Sequence, residues 1–352
     1  MFRIGAVLLS LLVIALLLEI GTRLFVPDST FRVFSNVFAR DPDPRVGYTL
    51  KHNYTGSAFG TDLVTNSMGY RGPELPLQKL PGTLRIALIG DSHAFGFGVP
   101  FAQTMGKLLS RRLSARLAKP VEVINFGVNG YNSKQELAVL ETKALPFAPD
   151  LVLVLVCNND EQPQMWVDDD GFLHWGQKGA HEAGSDIAWD RHQHSLADFQ
   201  KQLFSASRFL LWLRLQWFRY SMGRAARDLE VAQGVPAGNG WTLPASVGPI
   251  DNELVEPVLT PLGAMVDMCR ARKIKIVFLT FNGMTNWRQS LNAVAADKGV
   301  PLIELVSLLA ADSWKELLEK WSLGWDSHMA APAQEVWAAG VAEFLVKNCL
   351  VP

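Results

Sequence analysis

The residues of this sequence that could react together are a serine and a histidine that lie far apart in the chain. Ser92 ends a Gly-Asp-Ser run that follows a short apolar segment, and His328 lies near the C-terminus, two residues after Asp326. A serine hydroxyl is a poor nucleophile until a base such as histidine removes its proton, and an acid commonly orients that base. These three residues therefore predict nucleophilic attack on a carbonyl carbon.

Two further polar segments contain candidate donors for the oxyanion that such an attack creates. Gly130 lies within the segment 125–132, and Asn159 directly precedes Asp160. A tetrahedral oxyanion needs hydrogen-bond donors that are already fixed in place. Both segments follow short apolar runs, as Ser92 does, so we expect all three at the ends of strands.

From residue 84 onward, short apolar runs alternate with amphipathic helical patterns. The run 151–156 contains only valine and leucine, which is typical of a strand buried on both faces of a parallel sheet. Strands are predicted at 85–90, 121–125, 151–156, 274–281 and 301–305. Helices are predicted at 105–118, 133–145, 254–272, 287–298, 313–321 and 332–347. This succession predicts a doubly wound α/β domain with its site at the carboxyl ends of the strands.

Four of these segments, in their order along the chain, resemble the four conserved blocks of the SGNH (GDSL-type) hydrolases. The matching residues are Gly90-Asp91-Ser92, Gly130, Asn159-Asp160 and His328. The resemblance implies a three-layer α/β/α fold around a five-stranded parallel sheet. It also implies an enzyme that deacylates or transacylates esters.

The resemblance also implies a role for each block residue. Ser92 would be the nucleophile, and its backbone N–H, the N–H of Gly130 and the Asn159 side chain would form the oxyanion hole. His328 would act as general base and then as general acid. His93, next to the nucleophile on a tight turn, is predicted to line the pocket. Two further residues would support the loops: Asp91 and Asp160.

Two positions depart from the family pattern. The family usually places its acid three residues before the histidine, where this chain has Trp325. Some polysaccharide O-acetyltransferases with SGNH-like domains use an Asp-x-His arrangement, so Asp326 is the predicted acid. Cys157 stands where the third block usually has glycine, and we predict a buried residue at a strand end and not a second nucleophile.

The N-terminal segment 4–26 is apolar and is interrupted only by Glu19 and Arg23 among charged residues. As a helix it would reach about 34 Å, enough to cross a hydrocarbon core of about 30 Å. A cleaved signal peptide, a buried soluble helix and an uncleaved signal anchor all fit an apolar run. No small-x-small cleavage site follows it, which favours an anchor over residues 1–27 with the domain exported.

The rest of the chain divides into a connector at 28–83, which we expect to pack on the domain, and an SGNH-like domain at 84–352 with an insertion at about 161–250. Within the connector, the run Asn66–Glu74 resembles membrane-anchored bacterial SGNH proteins that are often linked to exported polysaccharide. Within the insertion, residues 204–220 combine aromatic, leucine and arginine residues. This pattern predicts a helix over the rim of the active site, or one seated on a membrane surface or membrane partner.

Composition excludes several other classes of protein. The 352 residues include 33 Lys and Arg against 34 Asp and Glu, which leaves no basic excess for nucleic acid. Three cysteines are too few for a disulfide framework or a closed zinc site. The run 168–171 predicts a solvated hairpin turn and not a calcium loop. Four histidines lack ligand spacing, so no metal or cofactor is expected: His174, His181, His192 and His194.

Together these observations predict a membrane-anchored serine esterase or O-acyltransferase in the periplasm or outside the cell. Its substrates would be acyl esters, such as acetyl esters, of a cell-envelope or exported glycan, with an acyl-enzyme on Ser92. An integral-membrane protein could supply the acyl group. A lipid or small-ester esterase is an alternative, and so is a catalytically silent module that binds glycan or scaffolds an envelope complex.

Overall fold

A computed structural model describes residues 2–26, 36–174, 207–213, 216–217, 250–281, 285–311, 314–323 and 327–352. The strands of this part of the chain are β1 (Phe38–Arg40), β2 (Tyr48–Leu50), β3 (Thr55–Ala58), β4 (Thr61–Val64), β5 (Leu84–Gly90), β6 (Val121–Asn125), β7 (Leu151–Cys157), β8 (Trp166–Val167), β9 (Leu173–His174), β10 (Lys275–Phe281) and β11 (Leu302–Glu304). The principal helices are α1 (Phe2–Phe25), α2 (Ser92–Phe95), α3 (Met105–Leu117), α4 (Ser133–Val139), α5 (Thr260–Ala271), α6 (Thr285–Asp297), α7 (Trp314–Trp321) and α8 (Ala331–Lys347).

Five of these strands form a parallel sheet in the order β6-β5-β7-β10-β11. The predicted five-stranded parallel sheet is therefore confirmed, and each strand lies within one or two residues of its predicted position. The chain runs from β5 outward to β6 on one side, then returns to build β7, β10 and β11 on the other. The crevice outside β5 and β7 is thus the switch point, where doubly wound sheets bind their ligands.

Helices cover both faces of the sheet, which gives the three layers that the family resemblance implies. Alternate residues of β7 enter opposite cores: Leu151, Leu153 and Leu155 pack with α3, α7 and α8, whereas Val152, Val154 and Val156 pack with α4, α5 and α6. Burial on both faces leaves no position of the strand for a polar residue. The apolar run in the sequence is unbroken because both faces of β7 are buried.

Two predicted helices are less regular than their sequence patterns suggest. The predicted helix 133–145 is α-helical only to Val139 and continues as a π-helical turn and then a 3-10 turn that contains Pro146. The predicted helix 254–272 begins with a π-helical turn around Pro257. A proline inside a helix lacks an N–H and crowds the preceding turn, so the backbone widens or tightens locally.

The connector contains two antiparallel hairpins, β1–β2 and β3–β4, which the sequence analysis does not predict. Their strands have only three or four residues, too few to show a two-residue period. The connector adds apolar side chains to the core on the α4 face, among them Val37, Tyr48, Leu50, Leu63 and Tyr70. It therefore packs as part of the folded domain.

The insertion starts with the β8–β9 hairpin. Its turn is closed by Asp168, whose Oδ1 accepts hydrogen bonds from the backbone N–H groups of Asp170, Gly171 and Phe172. This confirms the predicted hairpin turn. The histidines at 181, 192 and 194 lie outside the described residues.

Further along the insertion, residues 208–213 are helical, as are 216 and 217, and we call these residues the insertion helix. Its first residues contact Glu19 of α1. The other residues of the predicted 204–220 helix, apart from Ser207, lie outside the part of the chain that the structure describes. Helix α1 is long and apolar enough to cross a membrane over Gly5–Phe25, as either an anchor or a signal sequence would be.

Candidate active site

The turn after β5 places Ser92 at the sheet edge. Gly90 has a φ of +155°, and a Cβ there would lie 2.7 Å from the Cβ of Ala94, so glycine is required. Asp91 caps the single-turn helix α2, because its Oδ1 accepts a hydrogen bond from the N–H of His93 at 2.8 Å. Ser92 is consequently the first residue of α2, at the switch point of the sheet.

The structure brings Ser92 and His328 into direct contact. Ser92 Oγ lies 2.6 Å from Nε2 of His328, and the same hydroxyl lies 3.3 Å from Oδ2 of Asp91. His328 belongs to the segment between α7 and α8, where its carbonyl accepts a hydrogen bond from the N–H of Leu323 at 2.9 Å. A serine hydroxyl within hydrogen-bond distance of an imidazole nitrogen is the arrangement that general-base activation requires.

The imidazole of His328 contacts two other rings. Phe97 stacks on it with a centroid distance of 4.4 Å, and His93 lies 4.7 Å from it. His93 in turn lies 4.6 Å from the ring of Phe281 at the end of β10. These contacts limit the orientations of the imidazole and leave Nε2 directed at Ser92.

Backbone donors for an oxyanion are also present at this edge. No acceptor among the described residues takes the N–H of Ser92 or that of Gly130. Gly130 has a φ of +77°, and a Cβ there would lie 2.7 Å from Sδ of Met165. Asn159 is half-buried in the turn that follows β7. The predicted donors therefore lie on the loops that flank Ser92.

The loops that carry Gly130 and Asn159 are bonded to each other. The Ser133 N–H donates to the carbonyl of Asp160 at 3.3 Å, and its hydroxyl donates to Asp160 Oδ2 at 3.2 Å. Asn132 Nδ2 donates to the carbonyl of Gln162 at 2.8 Å. Asp160 is thus a loop-holding residue by its contacts. Preorganised loops of this kind keep oxyanion donors in place without reorganisation.

Sequence reasoning missed Asn125, which joins the loop after β6 to the nucleophile helix. Its Nδ2 donates to the carbonyl of Ala94 at 2.6 Å, and its Oδ1 accepts from the N–H of Gly127 at 2.9 Å. The available signal was an asparagine at the end of an otherwise apolar strand. Such a buried amide needs partners, because an unpaired polar group costs free energy.

Arg71 was missed as well, although it lies in the Asn66–Glu74 run that the sequence analysis singled out. Its buried guanidinium donates to the carbonyls of Phe95, Gly96 and Val99, the last at 2.6 Å. It also lies 4.8 Å above the ring of Phe95. Burial lowers the pKa of Arg71 to about 10. The connector thereby fixes the segment that follows α2.

A group of buried carboxyls lies near the turn that carries Ser92. Burial, together with the nearby charge of Asp91, raises the pKa of Asp160 well above its usual range. Burial, Asp160 and Asp91 raise the pKa of Glu136 in the same way. Neither carboxylate oxygen of Glu136 has a hydrogen-bond partner in the described part of the chain. Burial without a partner, beside other acids, favours the neutral form of this carboxyl.

Cys157 is fully buried as the last residue of β7, as predicted. Its thiol donates a weak hydrogen bond to Asp91 Oδ1 at 3.5 Å. Burial, followed by the charge of Asp91, raises the pKa of this thiol well above its usual range. A protonated, inaccessible thiol is not a nucleophile.

Asp326, the predicted acid, and Trp325 lie outside the described residues. Within the described ranges no group of three His, Cys, Asp or Glu side chains is arranged to hold a metal ion.

In a comparison with solved protein structures, 48 chains match this one. A lipase/acylhydrolase from Enterococcus faecalis is 13% identical, with 75% of this chain and 96% of that chain covered and a TM-score of 0.40. A psychrotrophic esterase from Pseudoalteromonas sp., in a structure inhibited by monoethylphosphonate, is 11% identical, with 76% and 99% covered and a TM-score of 0.39. A GDSL-like lipase from Bacteroides thetaiotaomicron is 11% identical, with 78% and 93% covered and a TM-score of 0.39.

A comparison with curated protein sequences gave no match. The sequence profile of the GDSL-like lipase/acylhydrolase family, however, matches residues 88–331, which is more than half of the chain. The matched region begins in β5, just before the nucleophile turn, and ends just after His328. The chain therefore belongs to the GDSL-like lipase/acylhydrolase family, whose activity is the hydrolysis of acyl esters.

Proposed function

We propose that the protein is a membrane-anchored, extracytoplasmic serine esterase or O-acyltransferase. Its substrates are acyl esters, most simply acetyl esters, of a cell-envelope or exported glycan. The observation that carries the catalytic part is the 2.6 Å contact between Ser92 Oγ and His328 Nε2. These two residues are 236 positions apart in the chain. A serine with a purely structural role would not need an imidazole nitrogen 2.6 Å from its hydroxyl.

In the first half of the reaction, Ser92 Oγ attacks the ester carbonyl carbon while its proton passes to Nε2 of His328. The carbonyl oxygen becomes an oxyanion, which the N–H groups of Ser92 and Gly130 and the side-chain amide of Asn159 stabilise. The intermediate then collapses, the carbon–oxygen bond to the alcohol breaks, and the imidazolium gives its proton to the departing alcohol. An acyl-enzyme on Ser92 remains.

The second half reverses these proton transfers. A water molecule or a sugar hydroxyl attacks the acyl carbon and gives its proton to Nε2 of His328. The bond to Ser92 Oγ then breaks and the serine recovers its proton. Water releases the free acid, whereas a sugar hydroxyl yields a new ester, so hydrolysis and transfer use the same residues and differ in the acceptor.

The imidazolium formed in each half needs an acid or a carbonyl to orient and stabilise it. We assign this role to Asp326 from its sequence position, two residues before His328. An Asp326→Asn variant should then lose kcat and keep KM, because the ground-state contacts of the substrate are unchanged.

The membrane and glycan parts of the proposal have separate supports. Helix α1 provides an apolar span of 21 residues, with a mean hydropathy of 2.3, that little of the protein covers. The Asn66–Glu74 run resembles bacterial membrane-anchored proteins linked to exported polysaccharide. A membrane-adjacent site favours a glycan of the envelope as substrate and an integral-membrane protein as acyl donor.

The first test measures hydrolysis of p-nitrophenyl acetate by the full chain in detergent micelles. Ser92→Ala should abolish turnover, and Ser307→Ala, which removes an exposed serine beyond β11 at the same sheet edge, should leave it unchanged. Activity that survives in Ser92→Ala would overturn the site. Absence of turnover in every variant, with soluble esters and with acetylated glycans, would indicate a silent binding module.

The second test separates the candidate substrates. The wild-type chain is given acetylated polysaccharide, unacetylated oligosaccharide with an acetyl donor, and long-chain acyl esters. Release of acetate from polysaccharide identifies a glycan esterase, and acetylated oligosaccharide, detected by mass, identifies a transferase. Preference for long-chain esters would indicate the lipid esterase instead and would contradict the glycan assignment.

A further inference from the structure

Glu19 is the acidic residue that interrupts the apolar span of α1, and it contacts the insertion helix. Its Oε1 accepts hydrogen bonds from Arg23 Nε at 2.7 Å and from the Arg208 N–H at 3.1 Å. Its Oε2 accepts from the Ser207 hydroxyl at 2.8 Å and from the Phe209 N–H at 3.0 Å. Each carboxylate oxygen therefore has two donors.

These contacts also complete the first turn of the insertion helix. The first N–H groups of a helix have no acceptor within the helix. Here Glu19 takes those of Arg208 and Phe209, and the Ser207 hydroxyl oxygen takes that of Leu210 at 3.2 Å. The first intrahelical bond runs from the Leu211 N–H to the Ser207 carbonyl at 3.0 Å. A negative side chain at this end also complements the helix dipole.

The same contacts remove the main objection to a carboxylate inside an apolar span. An ionisable residue within a membrane helix is costly unless it is paired or hydrogen-bonded. Glu19 has an arginine one turn away, three further donors, and a position about 9 Å before the C-terminal end of α1, at 1.5 Å per residue. It therefore lies near the boundary of the span, where a second helix could join it.

Apolar side chains on both helices face away from the protein. Those of α1 include Leu9, Leu17 and Phe25, which are 63%, 63% and 83% exposed. On the insertion helix, Leu213 is 43% exposed and Trp217 is 66% exposed. A helix that is apolar all round needs an apolar solvent on every side, which lipid provides and a single protein partner does not. Tryptophan is also enriched where a bilayer meets water.

We propose that the insertion helix and the C-terminal end of α1 form one membrane-embedded unit, joined by Glu19, with lipid acyl chains covering Leu213 and Trp217. The inference rests on the membrane anchoring in the proposed function and extends it to a second segment, about 190 residues further along the chain. It requires that the N-terminus be retained. Cleavage as a signal peptide would remove the acceptor of the Ser207, Arg208 and Phe209 donors.

The test locates these side chains in vesicles that contain only phosphatidylcholine and the full chain. Cys157 and Cys269 are buried and Cys349 is exposed, so Cys349→Ser gives a background without an accessible thiol. In that background, Leu213→Cys and Trp217→Cys are each labelled with an environment-sensitive fluorophore. Wild-type chain labelled at Cys349 is the control for an aqueous position.

We expect the labels at 213 and 217 to emit at shorter wavelength and to lose intensity with lipids that carry a spin label on the acyl chain. The label at Cys349 should respond only to aqueous iodide. The proposal would be overturned if iodide quenched the labels at 213 and 217 as strongly as the label at Cys349 in chains that co-float with the vesicles. The anchor would then remain in place. Failure to co-float would overturn the anchor as well. Neither outcome affects the ester hydrolysis test in micelles.

A second pair of variants tests the joint. Glu19→Ala removes the acceptors of the insertion helix, whereas Arg23→Gln removes the ion pair and keeps them. Both changes are made in the chain labelled at position 213. Lipid quenching of that label should fall with Glu19→Ala and stay at its unsubstituted value with Arg23→Gln, and co-flotation should be unchanged in both. Equal quenching in Glu19→Ala and wild type would show that Glu19 does not hold the helix. Lipid quenching that appears only after a membrane protein is added would point to a protein occupant and contradict the proposal.

Discussion

The imidazole of His328 stacks on the phenyl ring of Phe97 with a centroid distance of 4.4 Å and an interplanar angle of 29°. Phe97 follows helix α2 by only two residues, so the segment that presents Ser92 also contacts His328. One short stretch of chain thereby aligns Ser92 and His328, the proposed nucleophile and base.

We expect Phe97→Leu to lower kcat for ester hydrolysis with little change in KM. An aromatic contact contributes about 0.5–1.5 kcal/mol, and its loss in the transition state would reduce the rate by about 2- to 13-fold. Phe97→Tyr keeps the ring and should keep most of the rate. Phe172→Leu, on the exposed tip of the β8–β9 hairpin, is the matched control. Equal kcat values for Phe97→Leu and wild type would show that the stack does not position His328.

Arg71 should be required for stability and, through the Phe97 segment, for catalysis. Arg71→Lys leaves one ammonium where a planar guanidinium serves three carbonyls, so we expect a loss of about 2–3 kcal/mol in the free energy of unfolding. The kcat should fall with it. Arg40→Lys changes an arginine that is 55% exposed in its ion pair with Asp169, and it should alter stability by less than about 0.5 kcal/mol. Denaturant unfolding and initial rates check both, and matching losses in the two variants would contradict the assignment.

The central sheet could be predicted from the sequence because its strands are buried on both faces and read as unbroken apolar runs. The order of Ser92, Gly130, Asn159 and His328 along the chain also predicted which loops would meet. The connector hairpins could not be predicted, since their strands are too short for a period to appear. Their register depends on packing against a core assembled from distant segments.

The supporting residues of the site escaped prediction for a related reason. Phe97, Asn125 and Arg71 act through contacts with chain segments that the sequence does not place beside them. Glu136 looks like a surface charge of a helix, yet Val139 and Leu140 three and four residues later lie on the same face and are buried. A charge that shares the apolar face of its helix was the signal that could have identified it.

Gly130 should be needed for both its backbone conformation and the space beside it. An alanine at φ +77° costs about 1–2 kcal/mol, and its Cβ would also meet Sδ of Met165. Displacement of an oxyanion donor lowers kcat by about 10²- to 10³-fold, which is the effect we expect for Gly130→Ala.

Gly82→Ala is the matched control for the Gly130 variant, because Gly82 has a φ of +79° and a Cβ there would meet nothing within 4 Å. It should lose stability to the same backbone strain and keep its kcat. The double variant Gly130→Ala with Met165→Ala removes the contact between the new Cβ and Met165 and keeps the backbone strain at position 130. If Gly130→Ala retains the kcat of Gly82→Ala, the conformation and the space that only glycine allows at position 130 are not needed for catalysis.

The buried carboxyl of Glu136 should make the stability of the protein fall as the pH rises. Burial, Asp160 and Asp91 raise the pKa of Glu136 in the folded state, so the folded protein holds a proton that the unfolded chain releases above a pH of about 4.5. This contribution to stability is fully present below that pH and is lost as the pH rises through the folded pKa.

The slope of the free energy of unfolding against pH is at most about 1.4 kcal/mol per pH unit for one proton. Glu136→Gln has no proton to hold, so its free energy of unfolding should vary less between pH 5 and pH 8 than that of the wild type. Glu141→Gln makes the same chemical change at a side chain that is 44% exposed and should keep the wild-type slope. Denaturant titrations of the three proteins at each pH measure the slopes, and equal slopes in Glu136→Gln and wild type would mean that Glu136 does not hold the proton.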